Sequence, residues 1–389
     1  MMSELVESLT PTIHAHLSCE LLLTTFCNMR CVYCVAGDLS NSSMSIETGR
    51  TAIDMFVDLA KGATSLEVVF TGGEPLLEFE TMENLTRYAQ ELATKAGADI
   101  HFIIKTNGTV LNGKIIEFLG AYHIKVVISI DGTEENHNRY RKDSVGNGTH
   151  HIVLRNLKAI LQKSIPCAAS ITVHPTLCAT VINSVRYLHQ LGIDQIDLGP
   201  AYGTVLWSKD DSLALAQCLH DVARYMRDVA NTGKNLEVGP LYRKSEHIEG
   251  RLSDCWGCGA ASTNIAFMPN GQITGCSSLG MLTPRYPELI LGDVWNGLDE
   301  HAIAHLLQLT QAGFQERPLC QRCEAAANCT GGCLAINYST TASPLMPPAF
   351  YCKTMCSIPS AWQIAWGATA PEKKLHLPTI RKENKAVYL

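Results

Sequence analysis

From residue 19 to about residue 197 the chain alternates short, nearly uninterrupted apolar runs with longer stretches in which apolar residues recur every third or fourth position. The runs cover 19–25, 66–71, 100–106, 124–130, 167–173 and 195–198, and they read as β-strands. The stretches at 45–61, 81–96, 113–121, 151–163 and 181–191, with a further one at 212–230, read as amphipathic helices. Continuous Val/Ile runs separated by helices imply a parallel sheet buried on both faces. Six such units make an α/β barrel or a doubly wound sheet, and the pattern alone does not separate the two. In either architecture functional residues gather at the C-terminal ends of the strands. Beyond residue 198 the periodicity weakens, the mixed-charge stretch 239–253 reads as a linker, and 265–273 reads as a β-hairpin turning at Asn270-Gly271.

Composition narrows the class. With 389 residues and 46% hydrophobic content the chain is globular, forming one large domain or two moderate ones. The net charge of −6 is spread along the chain, which argues against a nucleic-acid partner and against a polybasic membrane anchor. There is no run of eighteen apolar residues, and the first ten residues carry acids where a signal peptide carries lysines, so a cytoplasmic location is expected. In that setting sixteen cysteines point to metal rather than to disulfides. Three lie in 27–34, nine lie between 255 and 356, and Cys19, Cys167, Cys178 and Cys218 are scattered and read as core thiols.

The first group is Cys27-Asn28-Met29-Arg30-Cys31-Val32-Tyr33-Cys34, directly after the first strand. Three thiolates at this spacing can wrap a cuboidal cluster, and a four-iron cluster needs four ligands, so one iron is left open for chemistry. The competing readings are a zinc site completed from elsewhere, or buried thiols acting as small hydrophobes. With Tyr33 just before the last cysteine, the spacing CxxxCxxC resembles the signature of the radical S-adenosylmethionine (SAM) enzymes.

That resemblance implies a partial (β/α)6 TIM-type barrel over about 15–235, in which the open iron chelates SAM and electron transfer cleaves it to a 5′-deoxyadenosyl radical. It also implies which residues meet SAM. Gly72-Gly73-Glu74-Pro75 matches a segment whose backbone and glutamate bind the SAM amino group; the glycines permit close approach and the carboxylate accepts from an ammonium. Asn107, Ser129 and Asp131 fall at strand ends where relatives contact the ribose and methionine. Arg141, preferred over Arg139, matches an arginine that pairs with the SAM carboxylate. As a lone tetrapeptide, Gly72–Pro75 would read as an ordinary turn.

The later cysteines resemble a SPASM extension, a small cysteine-rich domain of radical SAM maturases, expected here over 255–360 after a linker at 236–254 and before a tail at 361–389. By its interleaved pattern Cys255, Cys258, Cys276 and Cys333 hold one auxiliary 4Fe-4S cluster and Cys320, Cys323, Cys329 and Cys352 a second, with Cys356 in reserve. Three 4Fe-4S clusters are therefore implied. Zinc knuckles would suit the CxxC pairs equally well.

The resemblance further implies a precursor peptide or protein as substrate and an external electron donor of flavodoxin or ferredoxin type. In the sulfatase-maturating branch an aspartate serving as catalytic base follows the cysteine matched by Cys276; here that residue is Ser277, which weighs against that branch. Asp197, Tyr202, Glu246 and His247 are the remaining candidates for a base, unranked. Neither end of the chain has room for the usual leader-binding domain, so leader recognition is expected from a separate protein or from the enzyme's own surfaces. The favoured expectation is a maturase forming a C–C or C–S crosslink in a ribosomal peptide. Alternatives are an anaerobic sulfatase (formylglycine) maturase, a maturase making a redox cofactor from a peptide and, in a different class, a structural zinc-binding protein.

Overall fold

A computed structural model describes residues 16–38, 40–241, 258–310, 316–323, 329 and 332–367. Strand β1 (His16–Thr24) leads through helix α1 (Ile46–Leu59) to β2 (Ser65–Gly72), α2 (Phe79–Ala96), β3 (Asp99–Thr106), α3 (Gly113–Ala121) and β4 (Lys125–Ser129). Then come α4 (Glu134–Tyr140), α5 (His150–Gln162), β5 (Cys167–Val173), α6 (Val181–Gln190), β6 (Gln195–Pro200), α7 (Lys209–Asn231) and β7 (Glu237–Gly239). Each strand from β1 to β7 pairs parallel with the next. Several helices begin where the sequence supplies a side-chain acceptor. Ser45 caps α1, Asn112 caps α3, and Ser208 with Asp211 forms a reciprocal capping box at α7.

Side chains alternate across each strand. Val68, Phe70, Ile104, Val126, Ile128 and Ile171 face the helices and pack with Ile53, Leu85, Leu119, Leu157 and Val185 in one core. The opposite set, Glu20, Glu67, Lys105, Lys125, Ser129 and Asp197, lines the inside of the sheet. The expectation of a sheet buried on both faces holds in part: Leu22, Val69 and Ala266 on the inner side are buried and apolar, but charged side chains share that face with them. The fold is an open α/β barrel. Within the barrel one helix was not foreseen. In α4 the buried positions are Asn136, His137 and Tyr140, so the segment carries no apolar period to read.

The cysteine-rich region does not form a separate sheet. It contributes β8 (Asn264–Phe267), β9 (Gln272–Thr274), a one-turn helix α8 (Ser277–Gly280), β10 (Ile290–Asp293) and β11 (Gly297–Leu298). Helices α9 (Glu300–Thr310), α10 (Leu334–Thr341) and α11 (Ala349–Trp366) follow. β8 pairs parallel with β1, so one sheet of eleven strands runs β11-β10-β9-β8-β1-β2-β3-β4-β5-β6-β7. The hairpin foreseen at 265–273 is β8–β9. Its turn needs Gly271, whose φ is +77° and where a Cβ would sit 2.4 Å from the Trp295 ring. The expected linker contains β7, and 242–257 lies outside the described residues. α11 packs along α7: the Phe350 and Trp207 rings stack at 4.9 Å, and His220 Nε2 lies 2.8 Å from Ser360 Oγ. Among the described residues no helix is long and apolar enough to cross a membrane.

Candidate functional site

Cys27, Cys31 and Cys34 occupy the loop leaving β1, at the C-terminal mouth of the barrel. The loop is pinned from three sides. Glu74 N donates to Phe26 O (2.9 Å), Arg30 N to Lys142 O (2.8 Å) and Val32 N to Tyr140 O (3.0 Å). Cys27 Sγ accepts from Met29 N at 3.4 Å and from Asn107 Nδ2 at 3.8 Å. Burial raises the Cys27 thiol and lifts Cys31 to about 11, with Cys34 adding to both and Cys27 adding to Cys31. Two thiols held so far from ionisation suit ligands that a metal deprotonates on binding better than free nucleophiles.

The glycines act on this loop. A Cβ on Gly72 would lie 2.2 Å from Thr24 O and one on Gly73 2.2 Å from Phe26 O, so both are bare to let β2 close against the cysteine segment. Gly73 N donates to Thr24 O at 2.7 Å. Glu74, with no exposed surface, accepts from Leu76 N (3.1 Å), Thr106 Oγ1 (2.7 Å) and Asn107 N (2.7 Å). Burial still pushes its carboxyl up to about 7 against those donors. Glu74 thus ties β2 to β3. Pro75 opens the buried turn that follows. Asn107 continues the tie: its amide donates to Asn28 Oδ1 at 2.9 Å, and its Oδ1 accepts from Thr109 N and Thr109 Oγ1.

On the other side stands a buried polar group. Arg141 Nη2 donates to Asp131 Oδ1 (3.0 Å), Tyr33 OH donates to Asp131 Oδ2 (2.6 Å), and Thr172 N donates to Asp131 Oδ1 (2.9 Å). The Arg141 guanidinium also lies 5.5 Å from the Tyr33 ring centre. Burial opposes the charge on Arg141, but Asp131, first among its neighbours, more than restores it. Arg141 Nε is buried and without a partner among the described residues, whereas Arg139 is exposed. A buried N–H left open beside the cysteine loop fits a ligand carboxylate. Ser129, half-buried, ends β4 on the lumen side.

The later cysteines fall into two groups. Cys276 caps α8 with its sulfur, and its thiol is raised by burial, then by Glu20, Cys333 and Cys258. Cys352 is lifted to about 12 by burial, then by Cys320, Cys329, Cys356 and Cys323, so Cys352 and Cys356 both belong to that neighbourhood. Cys255, Glu246 and His247 lie outside the described residues. No set of three or more Cys, His, Asp or Glu side chains among the described residues closes round a single metal ion.

Two half-buried tyrosines stand between the groups: Tyr202 feels Cys333, Cys276 and Cys34, and Tyr351 feels Cys333, Cys329 and Cys258. Burial above all raises both phenols. A cavity of about 380 Å³ joins the first group to the C-terminal region, lined by Cys34, Gly203, Thr204, Met281, Arg285 and Ser339 among others. The sequence reading passed over Tyr351 and also over Glu20 and Lys105. The signal for the last two was a charge inside an otherwise apolar strand.

These features define an open α/β barrel with a three-cysteine loop at its mouth and a second cysteine-rich region built onto its first strand. Residues 21–188 match the Radical SAM superfamily, so the chain carries a radical SAM domain. A serine-type anaerobic sulfatase-maturating enzyme of Klebsiella aerogenes is 22% identical over 328 residues, covering 79% of this chain and 77% of that one. An uncharacterised protein of Methanocaldococcus jannaschii is 32% identical over 176 residues, covering 45% of this chain and 59% of the relative's length. In fold, the chain is similar to anSMEcpe with bound AdoMet and Kp18Cys peptide (TM-score 0.75, 19% identity, 90% of this chain and 99% of that one). It is also similar to Streptococcus suis SuiB bound to precursor peptide SuiA (TM-score 0.63, 17% identity, 90% and 78%).

Proposed function

We propose that this protein is a radical SAM maturase of the SPASM type, acting on a ribosomally made peptide and most readily forming a C–C or C–S crosslink. The observation that carries the reading is the pinned Cys27–Cys34 loop beside a buried arginine with an open N–H, inside a radical SAM domain. When bound, SAM supplies the 5′-deoxyadenosyl radical that removes hydrogen from an unactivated C–H. The protein's own contribution is placement. Cys27, Cys31 and Cys34 hold the SAM-binding cluster, Glu74 and Asn107 keep that loop against β2 and β3, and Arg141 offers Nε to the SAM carboxylate. Tyr33, Gly72, Gly73, Pro75, Ser129 and Asp131 complete that wall. Cys258, Cys276 and Cys333 with Cys255, and Cys320, Cys323, Cys329 and Cys352, hold the two auxiliary clusters. The cavity between Cys34 and Ser339, beside the cysteine loop, is where the peptide enters in this reading. Two proteins of similar fold carry bound peptides.

Asp197 is the preferred proton acceptor. Burial raises its pKa against the pull of Lys125 and Lys105, which moves a carboxylate toward the range a base needs near neutral pH. Sulfatase maturation is the second reading, favoured by the Klebsiella relative and opposed by Ser277. The carboxylate that does lie beside position 277 is Glu20, and it is already held by Lys105 and by Ser277 N.

Anaerobic reconstitution tests the proposal. About twelve irons per chain, with 5′-deoxyadenosine formed from SAM and reductant, are expected. Cys31→Ala loses deoxyadenosine altogether, whereas Cys323→Ala keeps uncoupled SAM cleavage and loses modified peptide. Zinc in place of iron with SAM intact would establish the structural-metal alternative.

A further inference from the structure

Glu20 and Lys105 lie on strands separated by β2, yet on the inner face of the barrel Lys105 Nζ reaches to 2.8 Å from Glu20 Oε1. The other oxygen, Glu20 Oε2, accepts from Ser277 N at 2.5 Å. Ser277 is bonded directly to Cys276, so the ion pair is seated at the edge of the Cys258, Cys276 and Cys333 group. Both of its members feel Cys276: Glu20 is the charge that most raises that thiol, and the Cys276 thiolate form supports the charge on Lys105. The Glu20 side chain is 10% exposed, whereas that of Lys105 keeps 46% of its surface.

A latch between β1 and α8 would need only a neutral acceptor for the Ser277 N–H. A glutamine offers one, without the desolvation cost that a charge incurs inside a barrel. What the ion pair adds is a fixed field. A nearly buried carboxylate with an ammonium held against it acts on any charge that changes nearby. For an iron–sulfur centre, potential follows net charge, hydrogen bonding and burial.

We infer that Glu20 and Lys105 set the reduction potential of the cluster held by Cys258, Cys276 and Cys333, the carboxylate lowering it and the ammonium raising it. The inference rests on the assignment of an iron–sulfur cluster to those cysteines. It makes Glu20 and Lys105 positioning and tuning residues, with no contact to SAM or peptide required.

The test uses full-length protein carrying Cys27→Ala, Cys31→Ala and Cys34→Ala, which removes the SAM-binding cluster and leaves the two auxiliary ones. A redox titration followed by electron paramagnetic resonance then reads two waves. Glu20→Gln is expected to move one wave to higher potential, and Lys105→Met to move that same wave to lower potential. Lys105→Arg leaves it near its starting value, and the second wave stays in place throughout. Opposite signs from the two partners are what a field produces and a merely structural role does not. Should Glu20→Gln lose iron, the Lys105 series decides alone, because among the described residues the Lys105 ammonium is bonded only to Glu20.

Waves that stay put, or that move the same way in both variants at full iron content, would overturn the inference while leaving the clusters in place. Absence of iron at these cysteines in the otherwise unaltered chain would instead bring down the proposed function, and this inference with it.

Discussion

His137 shows how a single side chain couples the barrel to pH. It has no exposed surface, Asp131 N donates to its Nδ1 at 3.4 Å, and its Nε2 therefore carries the proton toward Thr149 Oγ1 at 2.9 Å. Burial first, then the charges of Arg141 and His150, lower its pKa from 6.5 to about 2. The unfolded chain then binds the proton that the folded one refuses, so stability falls as pH drops below about 6.5. The slope from this residue approaches about 1.4 kcal/mol per pH unit. Denaturant unfolding between pH 5 and 6.5 should show it, and His137→Gln should flatten it by about that amount. Arg141 offers a second test at this scale. Arg141→Met strands the Asp131 carboxylate, which is 1% exposed, and should destabilise the fold by about 3–5 kcal/mol, whereas Arg141→Met with Asp131→Leu should recover much of the loss.

Among the elements, the end of β2 governs the cysteine loop. Gly73→Ala drives a Cβ into backbone at 2.2 Å from Phe26 O, where no flexible side chain can give way. The expected outcome is loss of iron at Cys27, Cys31 and Cys34 with the later cysteines still loaded, read as roughly a third less iron per chain if all three clusters are present. Gly97→Ala at the end of α2 is the control. Its φ is +71° but nothing lies within 4 Å, so it should cost only about 1 kcal/mol and spare the iron. Elements were also legible to different degrees. The six long strands and the helices between them show in hydrophobic period because each buries an apolar face. α4 and β7 do not. The first buries polar side chains, and the second is three residues long and held by pairing to β6.

In the whole molecule, the cysteine-rich region and the barrel share one sheet through β8 and one helix pair through α7 and α11. Phe350, 4% exposed and stacked on Trp207, sits two residues before Cys352. Phe350→Ala should cost about 3–5 kcal/mol and release iron from the group around Cys352 before that around Cys27, followed by iron content during mild denaturation.

Much of the candidate site could be read from spacing, because thiols within one short loop must sit together: Cys27, Cys31 and Cys34 are such a set. Strand ends were legible for a related reason, since a parallel sheet brings all of its C-terminal ends to one mouth, and Gly73, Asn107 and Asp131 meet there. Their individual bonds were not. Glu74 could be read as an acceptor for a ligand's ammonium, but its bonds to Leu76 N, Thr106 Oγ1 and Asn107 N could not, because only packing decides which donors of the chain surround a buried carboxylate.

The sequence by itself determined the order of the six long barrel strands and the apolar-faced helices between them, the cysteine spacing and the class of chemistry they point to, since these follow from local period and short-range geometry. Tertiary structure alone decided what is joined across long separations. It put Glu20 against Lys105 and Ser277, and Tyr202 between cysteines drawn from both ends of the chain. No periodicity records such contacts, because they arise from how the sheet curves and which edge the hairpin finds.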